Sequence, residues 1–392
     1  MRTDQFLPAA VTNGRLFTIT GGIIEGGQVL LEGGKIAAIG VGLQIPRGAR
    51  VIDAGGRIVT PGFIDAHCHV GITEEGIGWE GDDVNEMTDP ITADARAIDG
   101  INPEDQGFRD AVEAGVTAMW VAPGSGNVIG GEGATVKTHG RGRTIDQMVL
   151  VAPSGLKAAT GENPKRIYRD QKKMPSTRMG TAALLRESLV KASSYLQKMA
   201  AEPDKRPDRD LRLEAIGRVL RREIPLRCHA HRGDDILTAI RIAQEFNIRV
   251  CIEHCTEGHR LAQELAARGI PAVVGPLLTA RVKVEFRDRT PATAGVLARA
   301  GVKVAIMTDH PVVPVNYLPL SAALAVRAGM EESEALRATT ISAAEIAGVA
   351  DRIGSLEVGK DADLVIHSGH PFDLMSQVDY TIVDGEVVYS RE

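Results

Sequence analysis

The sequence predicts an α/β protein: a (β/α)8 TIM barrel with a small β-sandwich domain formed by the N- and C-terminal segments. Three observations lead there. Apolar, strand-like runs alternate with helix-like stretches through the middle of the chain, the pattern of a parallel sheet with crossover helices. The two ends share a different texture, of short alternating segments and Gly-rich turns, which marks antiparallel β structure. Histidines and one aspartate fall at the ends of the predicted central strands, the face on which such barrels place their chemistry.

Residues 7–59 hold four β segments, "RLFTITGG", "QVLLEGG", "KIAAIGVG" and "ARVIDAGGRIV". "ADLVIHSG" and "YTIVDGEVVYS" repeat that texture near the C-terminus, the latter around an Asp-Gly turn. Residues 1–59 and 350–392 are therefore expected to form the small domain, and 60–349 the barrel. Its eight strands are predicted in "GFIDAH", "VTAMWVAP", "ATVKT", "MVLVAPSGLK", "PLRCHAH", "RVCIEHC", "IPAVVGPLL" and "VKVAIMTDH". Helices are predicted in "PEDQGFRDAVEAG", "DDILTAIRIAQEFN", "GHRLAQELAARG" and "TPATAGVLARAG", each with apolar residues at three-to-four spacing. Two connections are long. Residues 71–106 carry eleven acidic residues and one basic residue, and 158–224 begin with a basic loop, then probable helical patterns at 178–201 and 208–222. Segments of that length in a compact domain are usually lids, binding loops or subunit contacts.

Composition narrows the classes of function. The 392-residue chain has a formal net charge of −6, which argues against general nucleic-acid binding. It shows neither an apolar run long enough to span a membrane nor a secretory leader, so a cytoplasmic location is expected. Four cysteines are too few for a disulfide framework. Cys68 and Cys228 alternate with histidines and should point into packing, and Cys251 and Cys255 lack zinc-motif spacing, which argues against a cysteine nucleophile. The glycines of "PGSGNVIGGEGA" precede no phosphate-binding helix, so a nucleotide site is not indicated.

Side chains two apart on a strand share a face, so His67 and His69 converge, as do His229 and His231. His254 ends the next strand and Asp309 the last. A single such pair is as consistent with packed imidazoles as with ligands. The ordered set at successive strand ends is what points to metal.

These motifs resemble the metal-dependent amidohydrolase superfamily, and especially its imidazolonepropionase-like and prolidase-like branch. "VTPGFIDAHCHVG" resembles the family's approach to its barrel, "CHAHR" and "IEHC" its fifth- and sixth-strand ligands, "TDH" its eighth-strand acid, and "GSLEVGKDADLVI" its return into the small domain. The resemblance implies one divalent metal on His67, His69 and Asp309 and a second on His229 and His254. Zinc is expected first, with manganese or iron also suited to such ligands. It also implies that Lys157, in "APSGLKAATGENP", bridges the metals as a CO₂-derived carbamate. An unmodified Lys157 that binds substrate, with a single-metal site, stays the alternative.

Several residues keep two readings. His231 either polarises the scissile carbonyl or supports a ligand. His310 should face away on a regular strand, but a loop from Pro311 could rotate it into the site. Lys137, His139 and Arg141, at the predicted end of the third strand, either bind a substrate anion or form a solvated basic loop. The basic run after Lys157 reads as a solvated face.

The expected reaction is hydrolysis of a C–N bond other than an ordinary internal peptide bond, in a cyclic amide, an N-acyl amino acid or a dipeptide. A metal-bound hydroxide would attack, with Asp309 as proton shuttle. The same site could serve a deaminase or lactonase, and a barrel without catalysis could act as a binding or assembly protein. The expected partners are a small-molecule substrate and a second copy in a homo-oligomer, with neither nucleic acid nor membrane.

Overall fold

The computed structural model describes residues 9–139 and 142–391. Among them, sixteen strands form two eight-stranded sheets. The chain opens with β1 (Ala9–Phe17), β2 (Ile23–Glu32), β3 (Lys35–Gly40), β4 (Arg50–Asp53) and β5 (Ile58–Pro61). Eight further strands follow: β6 (Phe63–Cys68), β7 (Val116–Val121), β8 (Ile129–Lys137), β9 (Val149–Ala159), β10 (Leu226–Ala230), β11 (Val250–His254), β12 (Ala272–Val274) and β13 (Val304–Ile306). The C-terminal segment adds β14 (Leu364–His367), β15 (Val378–Val383) and β16 (Glu386–Ser390).

Alternation in the end segments has the expected consequence. Val11, Leu16, Val29, Leu31, Val59, Leu364 and Ile382 turn to one side and share a core. In hydrogen-bonding terms this domain is one sheet rather than two, ordered β16-β15-β14-β5-β1-β2-β3 with β4 beside β1. It rolls back on itself, because Ile36 N donates to Lys360 O and Ala362 N to Gly34 O.

Strands β6 to β13 lie in sequence order and close into a barrel. Beyond the last ladder, Asp309 N donates to His67 O at 3.1 Å and His69 N to His310 O at 3.0 Å. Near-continuous burial along these strands explains their Val-, Ile- and Ala-rich composition. One end is plugged. The helix Ile341–Ala347 packs Ala343, Ala344 and Ile346 among Ile64, Ala118, Cys251, Val273, Ala305 and Met307. The other end carries the histidines.

The strand order differs from a regular (β/α)8 barrel at one place. β8 runs antiparallel to both β7 and β9, while the other barrel pairs are parallel. The reason is reach: only residues 122–128 join β7 to β8, and a parallel return needs about a dozen or more residues. This short connection was visible in the sequence. Two glycines, on β8 and β9, mark close packing inside the barrel. A Cβ on Gly133 would stand 2.6 Å from Trp120, and one on Gly155 would stand 2.8 Å from Arg227, so both glycines make room for side chains inside the barrel.

The basic stretch after β9 is not a loop throughout but contains the helix Glu162–Asp170. The helix Arg178–Met199 follows, with Thr177 accepting from Gly180 N at its start, and then Leu211–Leu220, capped by Asp210. Residues 71–106 are tied to the barrel wall: Gly124 N donates to Val84 O, Tyr168 Oη to Asp89 O, and Arg212 pairs with Asp89 and Asp94. Among the described residues no helix is long and apolar enough to cross a membrane.

Candidate metal centre

Two sets of three donors meet at the open end of the barrel. His67, His69 and Asp309 form one, His229, His231 and His254 the other, with ligand-capable atoms inside each set within 4.8 Å of one another. Lys157 Nζ stands 3.2 Å from His67 Nε2. The sets adjoin, since the His254 ring lies 4.1 Å from that of His229 and 5.4 Å from that of His67, centre to centre.

Local backbone explains how each side chain arrives. On β10, alternation carries Arg227, His229 and His231 to one face. On β11 the parallel register pairs His229 with Glu253 and Ala230 with His254, so a regular strand would turn His254 outward with Ala230. Left-handed backbone at His254 (φ 68°) and Cys255 (φ 50°) reverses that and swings the imidazole inward. Asp309 also sits at positive φ, 58°. Such conformations cost on the order of 1–3 kcal/mol each and cluster at functional sites.

Hydrogen bonds orient the imidazoles. His67 Nδ1 donates to Glu253 Oε2 at 2.8 Å, His69 Nδ1 to Ala122 O at 2.7 Å and His254 Nδ1 to Gly275 O at 3.1 Å. Each leaves an Nε2 lone pair free to act as a ligand. His231 is anchored through Nδ1 to Thr256 Oγ1 at 2.8 Å. Its Nε2 and both nitrogens of His229 are buried without a hydrogen-bond partner. Orphaned buried nitrogens are costly, and a cation that accepts their lone pairs would remove the cost. Burial holds His67, His229 and His231 well below the ordinary imidazole range and pushes His254 down to about 4, so all four are neutral donors. Burial raises Asp309, and the pull of His254, His69 and His67, exerted as they gain a proton, outweighs it and brings the carboxyl below its usual value. The donor set of imidazoles with a carboxylate fits zinc, manganese or iron.

A layer of charge supports the centre from below, and the sequence reading missed it. Glu253 takes Arg227 Nε at 2.7 Å on one oxygen while its other oxygen holds His67. Arg227 also donates to Ala66 O at 2.7 Å and stacks 3.6 Å from the Trp120 ring. The available signal was charge inside apolar strand runs: Arg227 and Glu253 are both wholly buried. On the rim, Lys283 and Phe286 belong to the loop after β12, with Phe286 4.9 Å from the His231 ring.

Two of the predicted substrate-binding residues are not brought to this face, and a third, at the face, turns its side chain aside. Because β8 runs the other way, its end lies beside the start of β7, where Lys137 pairs with Ala118. There Lys137 Nζ is held by Asp363 at 2.6 Å, Asp384 at 3.0 Å and Asp361 at 3.1 Å. His139 donates to Asp384 at 3.0 Å. Both residues join the barrel to the small domain instead of reaching substrate. His310 engages Val315 N through Nδ1 and turns Nε2 toward Glu75, 3.6 Å away, not toward the other histidines. Arg141 lies outside the described residues. Lys137→Ala is expected to lower stability by about 3–5 kcal/mol, because it strands buried carboxylates, and to leave kcat/KM unchanged. Urea unfolding read beside kinetics checks this. A raised KM at wild-type stability would restore a substrate role.

Comparisons with known proteins give the chain's family. The amidohydrolase family model matches residues 177–388. The chain is 44% identical to an amidohydrolase from Thermotoga maritima MSB8 of known structure, covering 98% of this chain and 100% of that one with a TM-score of 0.94. It is 27% identical to an imidazolonepropionase from Sphingopyxis alaskensis, over 94% of each chain. It is 29% identical to the amidohydrolase tasK of Hapsidospora irregularis over 92% of its own length, but spans only 39% of that protein. The chain belongs to the amidohydrolase family and is a hydrolase of carbon–nitrogen bonds.

Proposed function

We propose that the protein hydrolyses the C–N bond of a small cyclic amide, N-acyl amino acid or dipeptide at a two-metal centre. The observation that carries this reading is the meeting of two three-donor sets beside a buried lysine. His67, His69 and Asp309 would hold one ion, His229 and His254 the other, with His231 beside them. Divalent metal bound there would polarise the scissile carbonyl and acidify an attacking water.

The chain's own groups supply the rest. Asp309 Oδ1 faces His67 Nε2 at 3.5 Å and His69 Nε2 at 3.3 Å, which leaves Oδ2 to take a proton from water and deliver it to the leaving nitrogen. His231 would hold a carbonyl oxygen from Nε2 in the tautomer whose Nδ1 accepts from the Thr256 hydroxyl, and in that tautomer it is not a metal ligand. Burial pushes Lys157 down to about 8, so part of the amine is neutral and can add to CO₂ with loss of a proton. The resulting carbamate would offer two oxygens between the donor sets.

A panel of lactams, imidazolones, N-acyl amino acids and dipeptides tests the reading. Turnover of at least one class is expected with zinc or manganese present, lost on chelation and restored by metal. Hydrolysis of none, by metal-replete protein, would count against it.

A further inference from the structure

We propose that Lys283 binds an anionic group of the substrate, a carboxylate, and so restricts this hydrolase to acidic amides. The inference rests on the hydrolytic reading of the same site and names its substrate class. Lys283 lies just before the short helical turn Val284–Phe286 on the loop that follows β12, at the barrel's open end. Its side chain is 19% exposed, so the ammonium is largely out of water yet reachable from the mouth. It lies over the Phe286 ring, which packs 4.9 Å from the His231 ring, so the charge stands beside the centre, where it lowers His229, His231 and His254.

Among the described residues the one carboxylate within ion-pair reach of Lys283 is Glu285. Its ion pair with Glu285 Oε2 is long, 3.6 Å. Glu285 spends its other oxygen on Glu162 N at 2.7 Å and on Arg178, at 3.4 Å. Asp309 and Glu162 act on the ammonium from further off, and it also lies over the face of Phe286, 4.8 Å from Nζ, whose ring packs against His231. Phe286 thus fixes the lysine beside a candidate carbonyl-holding histidine. An ammonium with a loose carboxylate partner, held over a reaction centre, is suited to a second carboxylate that arrives with substrate.

Two matched probes separate this from a lysine that only pairs with Glu285. N-acetylglycine carries the carboxylate, and N-acetylglycinamide is its neutral counterpart. Binding of each to zinc-loaded wild type, Lys283→Met and Lys283→Arg is measured by calorimetry, beside a thermal melt of each variant. Wild type should prefer the acid by about ten- to a hundredfold, the range of a charge-assisted hydrogen bond. Lys283→Met should abolish the preference at unchanged binding of the amide, and Lys283→Arg should keep part of it. An equal preference in wild type and Lys283→Met, or no binding of the acid by wild type, overturns the proposal. Binding needs no turnover, so a preference seen without hydrolysis of any amide would fault the hydrolytic reading and leave the anion site standing.

Discussion

Replacing Asp309 by asparagine is expected to cut turnover by about a thousandfold or more, well beyond what loss of one hydrogen bond would cause. The carboxylate holds two positions at once. One oxygen faces His67 and His69, and the other is free for the travelling proton. Asparagine keeps the shape and an oxygen but cannot be protonated at neutral pH. Steady-state kinetics with metal analysis of the same samples checks the assignment. A kcat within tenfold of wild type at equal metal content would remove Asp309 from proton transfer.

Glu253→Gln is the second large effect, and it arises away from the substrate. Glu253 neutralises Arg227, which is wholly buried, and orients His67 through Nδ1. The variant removes the charge and leaves Arg227 without its counter-ion, at an expected cost of about 3 kcal/mol or more. It also loosens the His67 tautomer that keeps Nε2 available, and loss of such an outer partner typically lowers metal affinity by about 10–100-fold. Denaturation and metal competition should both move. A change in stability with unaltered metal affinity would make the Arg227–Glu253 pair purely structural.

Much of this arrangement was legible in the residues, for identifiable reasons. Strand alternation suffices for His67 with His69 and for His229 with His231, because period two needs no knowledge of neighbouring chain. The end domain was readable from alternation and turn glycines. What escaped depends on exceptions to that period or on long-range pairing. His254 reaches the centre only through left-handed backbone, which is uncommon outside glycine and lies outside strand periodicity. The misplacement of Lys137 and His139 follows from one reversed strand, although the brevity of residues 122–128 should have signalled it. Glu253 and Arg227 sat within or beside recognised motifs, yet each finds its partners on another strand, and Lys283 lies on a loop outside every motif. A charged residue inside an apolar strand was the available clue, and it points downward to the support of a site as often as to the site itself.

The central claim is that the two donor sets make one metal centre bridged at Lys157. Metal content by plasma mass spectrometry decides it, on protein loaded with zinc and bicarbonate and then freed of loosely held ions. Wild type should hold about two ions per chain, and His67→Ala and His229→Ala about one each, the stoichiometry of a two-metal hydrolase site. A wild-type content of about one ion per chain or less, or variants that retain the wild-type content, would contradict the account.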